Sequence, residues 1–239
     1  MPLPGQAAIA MWWNMAPEHR EEFEHWHSHE HFPERLGIPG FLRGSRWSSV
    51  DGGDGFFIMY ELDAYETLSS EAYLSRLNRP TPWSTKMMPH HRDMVRSQCR
   101  VISSVGGGTA RYALTLRVSP EPGSEETLRQ HISVLSHAFT SAAGGVACHL
   151  LRTDTPKIAA TTEQQIRGGK DAVADWIVVA IGYDRAVLQA LQHGQLSQPA
   201  IEAAGARPGA ISGLYQLSFT AVAGDLEPQE ASEPQHKRY

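Results

Sequence analysis

The chain has 239 residues, enough for one large domain or two small ones that each bury a core. Its composition, 41% hydrophobic and 20% charged, is ordinary for a globular protein. A formal charge of −5 argues against nucleic acid or an anionic membrane surface as partner. The only cysteines, Cys99 and Cys148, have no C-x-x-C spacing, which argues against a disulfide framework and fits a reducing, cytoplasmic setting. Met1 to Met15 lacks a basic region followed by a long apolar run, so no signal peptide is expected. No apolar stretch approaches the ~20 residues that span a bilayer.

In chain order, the apolar run from Ala8 to Asn14 predicts a short strand. Pro17, followed by Glu18, Glu21 and Glu22, opens a helix with acidic residues at its positive end. Pro33 stops or kinks that helix, and Gly37, Pro39 and Gly40 complete the break. A second strand is expected over Phe41 to Val50, a turn at 51–55, a third strand over Phe56 to Leu62, a helix over Tyr65 to Leu77 and a strand from Cys99 to Val105. The proline-rich insert from Arg79 to Arg92 reads as an ordered loop with a short helix.

After a glycine hinge, Gly106 to Gly108, the order starts again. Tyr112, Leu114, Leu116 and Val118 alternate with Ala113, Thr115 and Arg117 as in a half-buried strand. A helix over Ser124 to Ala142, strands over Gly145 to Thr153 and Asp175 to Tyr183, a helix from Arg185 to about Ala204 interrupted by Pro199, and a strand around Tyr215 to Ala221 follow. Each half is therefore β-α-β-β-α-β, the ferredoxin-like order. One such unit leaves a sheet face uncovered, and burying it against a second sheet is the simplest remedy. The expectation is an α+β protein with repeat 1 over 1–105, repeat 2 over 109–222 and a disordered tail over 223–239, which is rich in Glu, Gln, Pro and Ser.

Between Phe23 and Pro33 the chain carries His25, His27, His29, His31, Glu24 and Glu30, its densest group of acid–base side chains. On a helix, residues four apart share a face, so Trp26, His27, Glu30 and His31 form a patch with an acid, two bases and an aromatic wall. Such a patch suits general acid–base work. Burial beside Trp26 would raise Glu30, and a nearby carboxylate would raise His31. His25 and His29 read as exposed helix surface. The matching helix of repeat 2 keeps only scattered histidines, His131 and His137, so one site in repeat 1 is expected, with repeat 2 mainly structural.

Metal binding is the competing chemistry, since an i,i+4 histidine pair can chelate zinc, nickel or copper, with His90 or His91 as a third ligand. The spacing H-E-x-x-H is not met, because His29-Glu30 is followed by His31, Phe32 and Pro33. Non-covalent haem is the other alternative, as the chain has no C-x-x-C-H.

The repeated order, with Trp26-His27-Ser28-His29-Glu30-His31-Phe32-Pro33 and then Ile38-Pro39-Gly40-Phe41, resembles the EthD-like members of the dimeric α/β-barrel superfamily. In that family a His-x-x-x-His-x-Pro-like helix precedes a Pro-Gly turn and the second strand. His27, His31 and Pro33 match the first element, and Pro39 and Gly40 match the second. The likeness of motif covers residues 26–41, and elsewhere it is one of element order. It implies two ferredoxin-like units packed sheet to sheet, normally from two chains and here fused, as an intramolecular dimeric α/β barrel. The fusion and the blank second copy are departures from the family. The superfamily includes cyclases, isomerases, oxygenases without metal, haem peroxidases and dehydratases, so the fold does not fix the reaction.

The expected function is acid–base chemistry of an isomerase, cyclase or lyase type on a small organic molecule, without a cofactor. His27, Glu30 and His31 are the catalytic candidates; Trp26, Tyr60, Trp83 and His90 are the substrate-binding ones, with Arg92 at the rim. The alternative is a non-catalytic protein that holds a small ligand, haem or a metal. The sequence leaves open whether the fused pseudo-dimer is a monomer or pairs again as a homodimer.

Overall fold

The computed structural model describes residues 3–50, 55–156, 158–168 and 171–225. Strand β1 (Ala7–Asn14) is apolar on both faces. Ala7, Ile9, Met11 and Trp13 meet the helices, while Ala8, Ala10 and Trp12 meet the interior of a barrel. Two-sided burial is the reason this run does not alternate. The first half continues with α1 (Pro17–Trp26), a wide turn of π-helix (His27–His31), α2 (Phe32–Leu36), β2 (Phe41–Ser49), β3 (Gly55–Leu62), α3 (Glu71–Asn78), α4 (Pro82–Met87) and β4 (Arg92–Gly106). The second half comprises β5 (Tyr112–Val118), α5 (Glu125–Ser141), β6 (Gly145–Thr153), α6 (Thr162–Ile166), β7 (Trp176–Gly182), α7 (Arg185–His193), α8 (Gln198–Ala203) and β8 (Ile211–Val222).

Both halves thus follow the ferredoxin-like order. Around the sheet the strands run β4-β1-β3-β2 and then β8-β5-β7-β6, the same sequence of positions twice. Edge strand β2 pairs with β8 (Ser45 opposite Thr220), and β4 pairs with β6 (Val105 opposite Cys148). The pairings between these eight strands are all antiparallel and the sheet closes on itself, so among the described residues it leaves no strand edge to recruit another chain. Trp47, Phe57, Met59, Leu151 and Val179 fill the shared interior. Apart from α6, which crosses to the first half, the helices of each half cover the outside of their own four strands, building two further apolar clusters. The expected α+β architecture of two fused units is the observed one.

Several elements differ from expectation in extent. Strand β4 begins at Arg92, seven residues before the expected Cys99, because its first half is polar yet pairs with β1 (Ser97 opposite Ala10). Its second half pairs with β6, so one long strand ties the halves together. The helix expected over Tyr65 to Leu77 breaks into a 3-10 turn (Tyr65–Ser69) and α3, because the Ser70 hydroxyl caps the Tyr73 N–H. In the hinge, Gly106 sits at φ +72, where an added Cβ would strike the Val146 carbonyl at 2.1 Å. Of the expected turn, 51–54 lie outside the described residues. Ala223–Asp225 form a 3-10 turn, and the rest of the expected tail, 226–239, lies outside them as well. No helix among the described residues is long and apolar enough to cross a membrane.

Candidate functional site

Pro33 shapes the site. It has no N–H to give, and in an unbroken α-helix its ring would press on the carbonyl four residues back. The chain widens just before it: the Phe32 N–H reaches the His27 carbonyl, five residues away, and His27–His31 form a turn of π-helix. Such widened turns often mark functional positions. Side chains serve the carbonyls next to it, with the Ser28 hydroxyl donating to Glu24 O (2.7 Å) and His29 Nδ1 donating to His25 O (2.9 Å). His25 and His29 remain on the exposed side, while His27 and His31 turn inward and are 1% and 8% exposed.

The two inward imidazoles stack, with centroids 5.3 Å apart and planes 21° apart, and face a cavity between α1–α2 and the sheet. Its apolar wall comes from Trp13, Trp26, Tyr60, Met11, Met88 and Met94. Its polar lining adds Arg35, Tyr73, His91, Arg96 and, from the second half, Glu163 and Arg167. The empty space is about 490 Å³ including the mouth, but only about 40 Å³ admits the centre of a water-sized sphere. The site is therefore a narrow slot, and the methionines are the part of its wall most able to give way.

Of the residues expected at the site, His27, His31, Trp26 and Tyr60 line the slot. Glu30 does not. It faces the proline-rich insert, where its Oε1 accepts from Trp26 Nε1 (3.0 Å), the Thr81 hydroxyl and the Ser84 hydroxyl (3.4 Å). It holds the Trp26 ring in place and clamps α4 onto α1. Trp83 donates to Glu22 (3.2 Å) and lies against His25, and His90 stacks on His19 at 3.7 Å; neither lines the slot. The neighbour, His91, takes that place, edge-on to Trp13 at 4.7 Å. The carboxylate beside His31 is Glu34, whose Oε2 is 3.9 Å from His31 Nδ1.

The second half, expected to be mainly structural, lends two side chains to the lining of the slot, though not from its blank helix. In that half Leu128, Ile132, Leu135 and Phe139 of α5 pack directly onto Leu116, Leu150 and Val178. The connection 154–175, however, crosses to the first half, where α6 brings Glu163 into a buried ion pair with Arg35. Arg167 follows one turn later, held by Asp171 (2.7 Å). Sequence reasoning missed both, as it missed Arg35, Tyr73 and Arg96.

Electrostatically the slot keeps its histidines neutral. Burial, then Arg46, pushes His27 well below the ordinary histidine range. Arg46 Nη1 stands 3.4 Å from His27 Nδ1, and a guanidinium only donates, so Nδ1 accepts and the ring proton sits on Nε2. Burial, then Arg35, likewise holds His31 well below its usual value, in place of the upward shift expected from a carboxylate. Burial lowers His91 to about 4. For Arg35, burial acts to lower the guanidinium, but Glu163 and Glu34 outweigh it and it stays charged. Among the described residues, two buried polar atoms of the lining, Trp13 Nε1 and Tyr60 Oη, have no polar partner, and two more, His31 Nδ1 and Arg35 Nη1, have only the longer contact to Glu34 Oε2 (3.9 and 3.5 Å). Groups like these are expected to meet a polar ligand.

Comparison with known proteins bears on the fold. No protein-family model matches the sequence, and no curated protein matches it. Among solved structures, an anthrone oxidase-like protein superposes with a TM-score of 0.65 at 13% identity, over 92% of this chain and 94% of that one. A proposed monooxygenase from Fusobacterium nucleatum gives 0.60 at 8% identity, over 91% and 95%. A haem-binding protein from Thermus thermophilus gives 0.50 at 11% identity, over 92% and 95%. The likeness is one of fold. It extends over both halves, so the whole barrel is shared.

A porphyrin needs a cleft clear along its whole plane, and with the side chains as they stand the slot is narrower than that. Among the described residues no three His, Cys, Asp or Glu side chains are grouped to hold a metal ion.

Proposed function

We propose that the slot in the first half removes a proton from a small, flat organic molecule, and that His31 is the base. What carries this reading is the pairing of a neutral, buried imidazole with cationic Arg35 and the hydroxyl of Tyr60 in one narrow cavity. A neutral histidine accepts a proton at pH 7, and a guanidinium, with a phenol whose O–H has no partner among the described residues, is suited to the enolate or phenolate that forms. Burial raises Tyr60, so its O–H remains a donor rather than ionising. Glu34 Oε2, 3.9 Å from His31 Nδ1, faces the positive charge that proton uptake places on the ring. His27, with Nδ1 engaged by Arg46, is an orienting neighbour stacked on His31 rather than a second base.

On this reading the protein is an EthD-like member of the superfamily formed by tandem duplication, with repeats over 1–105 and 109–222 of which only the first kept a site. Its two free, buried cysteines suit the cytoplasm. A second reading, prompted by the oxygenase names of two fold neighbours, adds dioxygen to the carbanion after the proton is lost.

Exchange of an activated C–H in deuterated water tests the first step without knowledge of the natural substrate. Phenylpyruvate, whose benzylic C–H is acidic, should exchange faster with the protein present, and His31→Gln should abolish the acceleration while the protein stays folded. Equal exchange by both proteins overturns the assignment of His31. Uptake of dioxygen in the same samples decides for the second reading, and its absence decides against it.

A further inference from the structure

A second cavity adjoins the slot. Leu77, Arg96 and Arg167 line both, so these three side chains form the neck between them. The outer space, about 690 Å³ including its mouth, is otherwise walled by Gln98 of β4 and by the crossing connection from the second half, including Pro156, Ile158 and Gln164. We propose that this neck is a carboxylate subsite centred on Arg96 and Gln98. The substrate is then an aromatic or enolisable acid whose ring enters the slot while its carboxylate stays at the neck. This deepens the proton-transfer reading and rests on it for the substrate's reacting end.

Three observations carry the proposal. First, Arg96 has no carboxylate partner among the described residues; its Nη2 donates to the Tyr73 hydroxyl (2.6 Å). The other two guanidiniums are taken, Arg35 by Glu163 and Arg167 by Asp171. Second, Gln98 lies two residues further along the same face of β4, is 4% exposed, and its Nε2 has no hydrogen-bond partner among the described residues. A buried amide donor beside a guanidinium that no carboxylate holds is the pair that a carboxylate, which accepts through both oxygens, would satisfy. Third, the carboxylates at the two cavities are engaged by the other arginines, Glu34 and Glu163 by Arg35 and Asp171 by Arg167, so the charge of Arg96 at the neck is the one they leave unmatched.

The test uses phenylpyruvate and its methyl ester, which differ in that one charge, with the full-length chain in deuterated water. Binding is followed by quenching of tryptophan fluorescence and benzylic exchange by proton NMR. The wild type should bind the acid about ten- to a hundredfold more tightly than the ester, the range for a hydrogen bond to a charged group. Arg96→Gln should bring the two ligands to near parity, Arg96→Lys should restore part of the preference, and Gln98→Leu should weaken the acid alone. His31→Gln should keep the preference and lose exchange. A wild type that exchanges both compounds without preferring the acid overturns the subsite and leaves the base in place. An Arg96-dependent preference without exchange overturns the base and leaves the subsite. If neither compound binds at millimolar concentration, both are overturned.

Discussion

Arg46 Nη1 lies 3.4 Å from His27 Nδ1 and 3.2 Å from the Glu24 carbonyl, so one guanidinium joins strand β2 to the widened turn and sets the tautomer of its first histidine. Burial holds Arg46 down to about 10, still charged at neutral pH. Nitrogen-15 NMR should show His27 neutral with its proton on Nε2, and no titration on acidification through 6.5. In Arg46→Met the ring loses both its anchor and a lowering charge, so both tautomers should appear and its titration should move up. A His27 that titrates near 6.5 in the wild type would refute this arrangement.

Four histidines are held neutral by burial: His27, His31, His91 and His149. Unfolded, each protonates near 6.5, whereas in the fold His91 and His149 wait until about 4 and the other two lie well below 6.5. Between those values the unfolded chain binds more protons, so stability is full above pH 6.5 and falls as the pH drops toward 4. His149, 1% exposed within the barrel, should alone account for about 3 kcal/mol of that loss. Urea denaturation across this range should show the slope, and His149→Asn, which keeps an amide where Nδ1 meets the Ser104 hydroxyl, should flatten it by one histidine's share. A midpoint that stays constant from pH 7.5 to 4.5 would count against buried neutral rings.

Gly44 on β2 has no room to grow. A Cβ there would sit 2.4 Å from the Phe32 ring and 2.9 Å from that of Tyr60. Phe32 is edge-on to His27 at 4.4 Å, so the glycine lets the helix after the wide turn approach the sheet. Gly44→Ala should cost about 1–3 kcal/mol, as overpacking does, and should slow exchange more than the stability loss explains, because Phe32 and Tyr60 both carry the site. Thermal melts beside exchange rates measure the two effects, and an unchanged melt would refute the contact.

Much of the fold was legible because its signals are local. Alternation in Tyr112 to Val118, the apolar run of β1 and the repeated element order led to the two units and, through the need to bury two sheet faces, to their union. His27, His31, Trp26 and Tyr60 were readable for the same reason: helix and strand periods decide which side chains face inward. Glu30, Trp83 and His90 went the other way because the insert packs α4 on the outer side of α1, where Glu30 meets Thr81 and Ser84, and Glu22 meets Trp83 and Lys86. Period alone cannot tell which flank a later segment will cover. Glu163 and Arg167 depend on contacts between distant parts of the chain, made only once the barrel closes. Their one sequence signal was length, since 154–175 is far longer than the 50–54 that separates the two corresponding strands of the first half.

The Arg35–Glu163 pair separates what holds the site together from what works in it. Both side chains are about 4% exposed, and they join α2 of the first half to α6 of the second. Removing one partner leaves the other buried charge with only its longer contact, Arg35 with Glu34 (3.5 Å) or Glu163 with Arg167 (3.9 Å), so Glu163→Met or Arg35→Met should each cost about 3 kcal/mol. The double variant Arg35→Met/Glu163→Met leaves no buried charge at the pair and should regain most of that loss, since two apolar side chains suit the same space. Proton exchange should not return with it, because the guanidinium that would steady the developing anion is gone. A recovered fold with recovered exchange would show that Arg35 has only a structural part, and a double variant no more stable than the singles would show that the pair is not the bond between the halves.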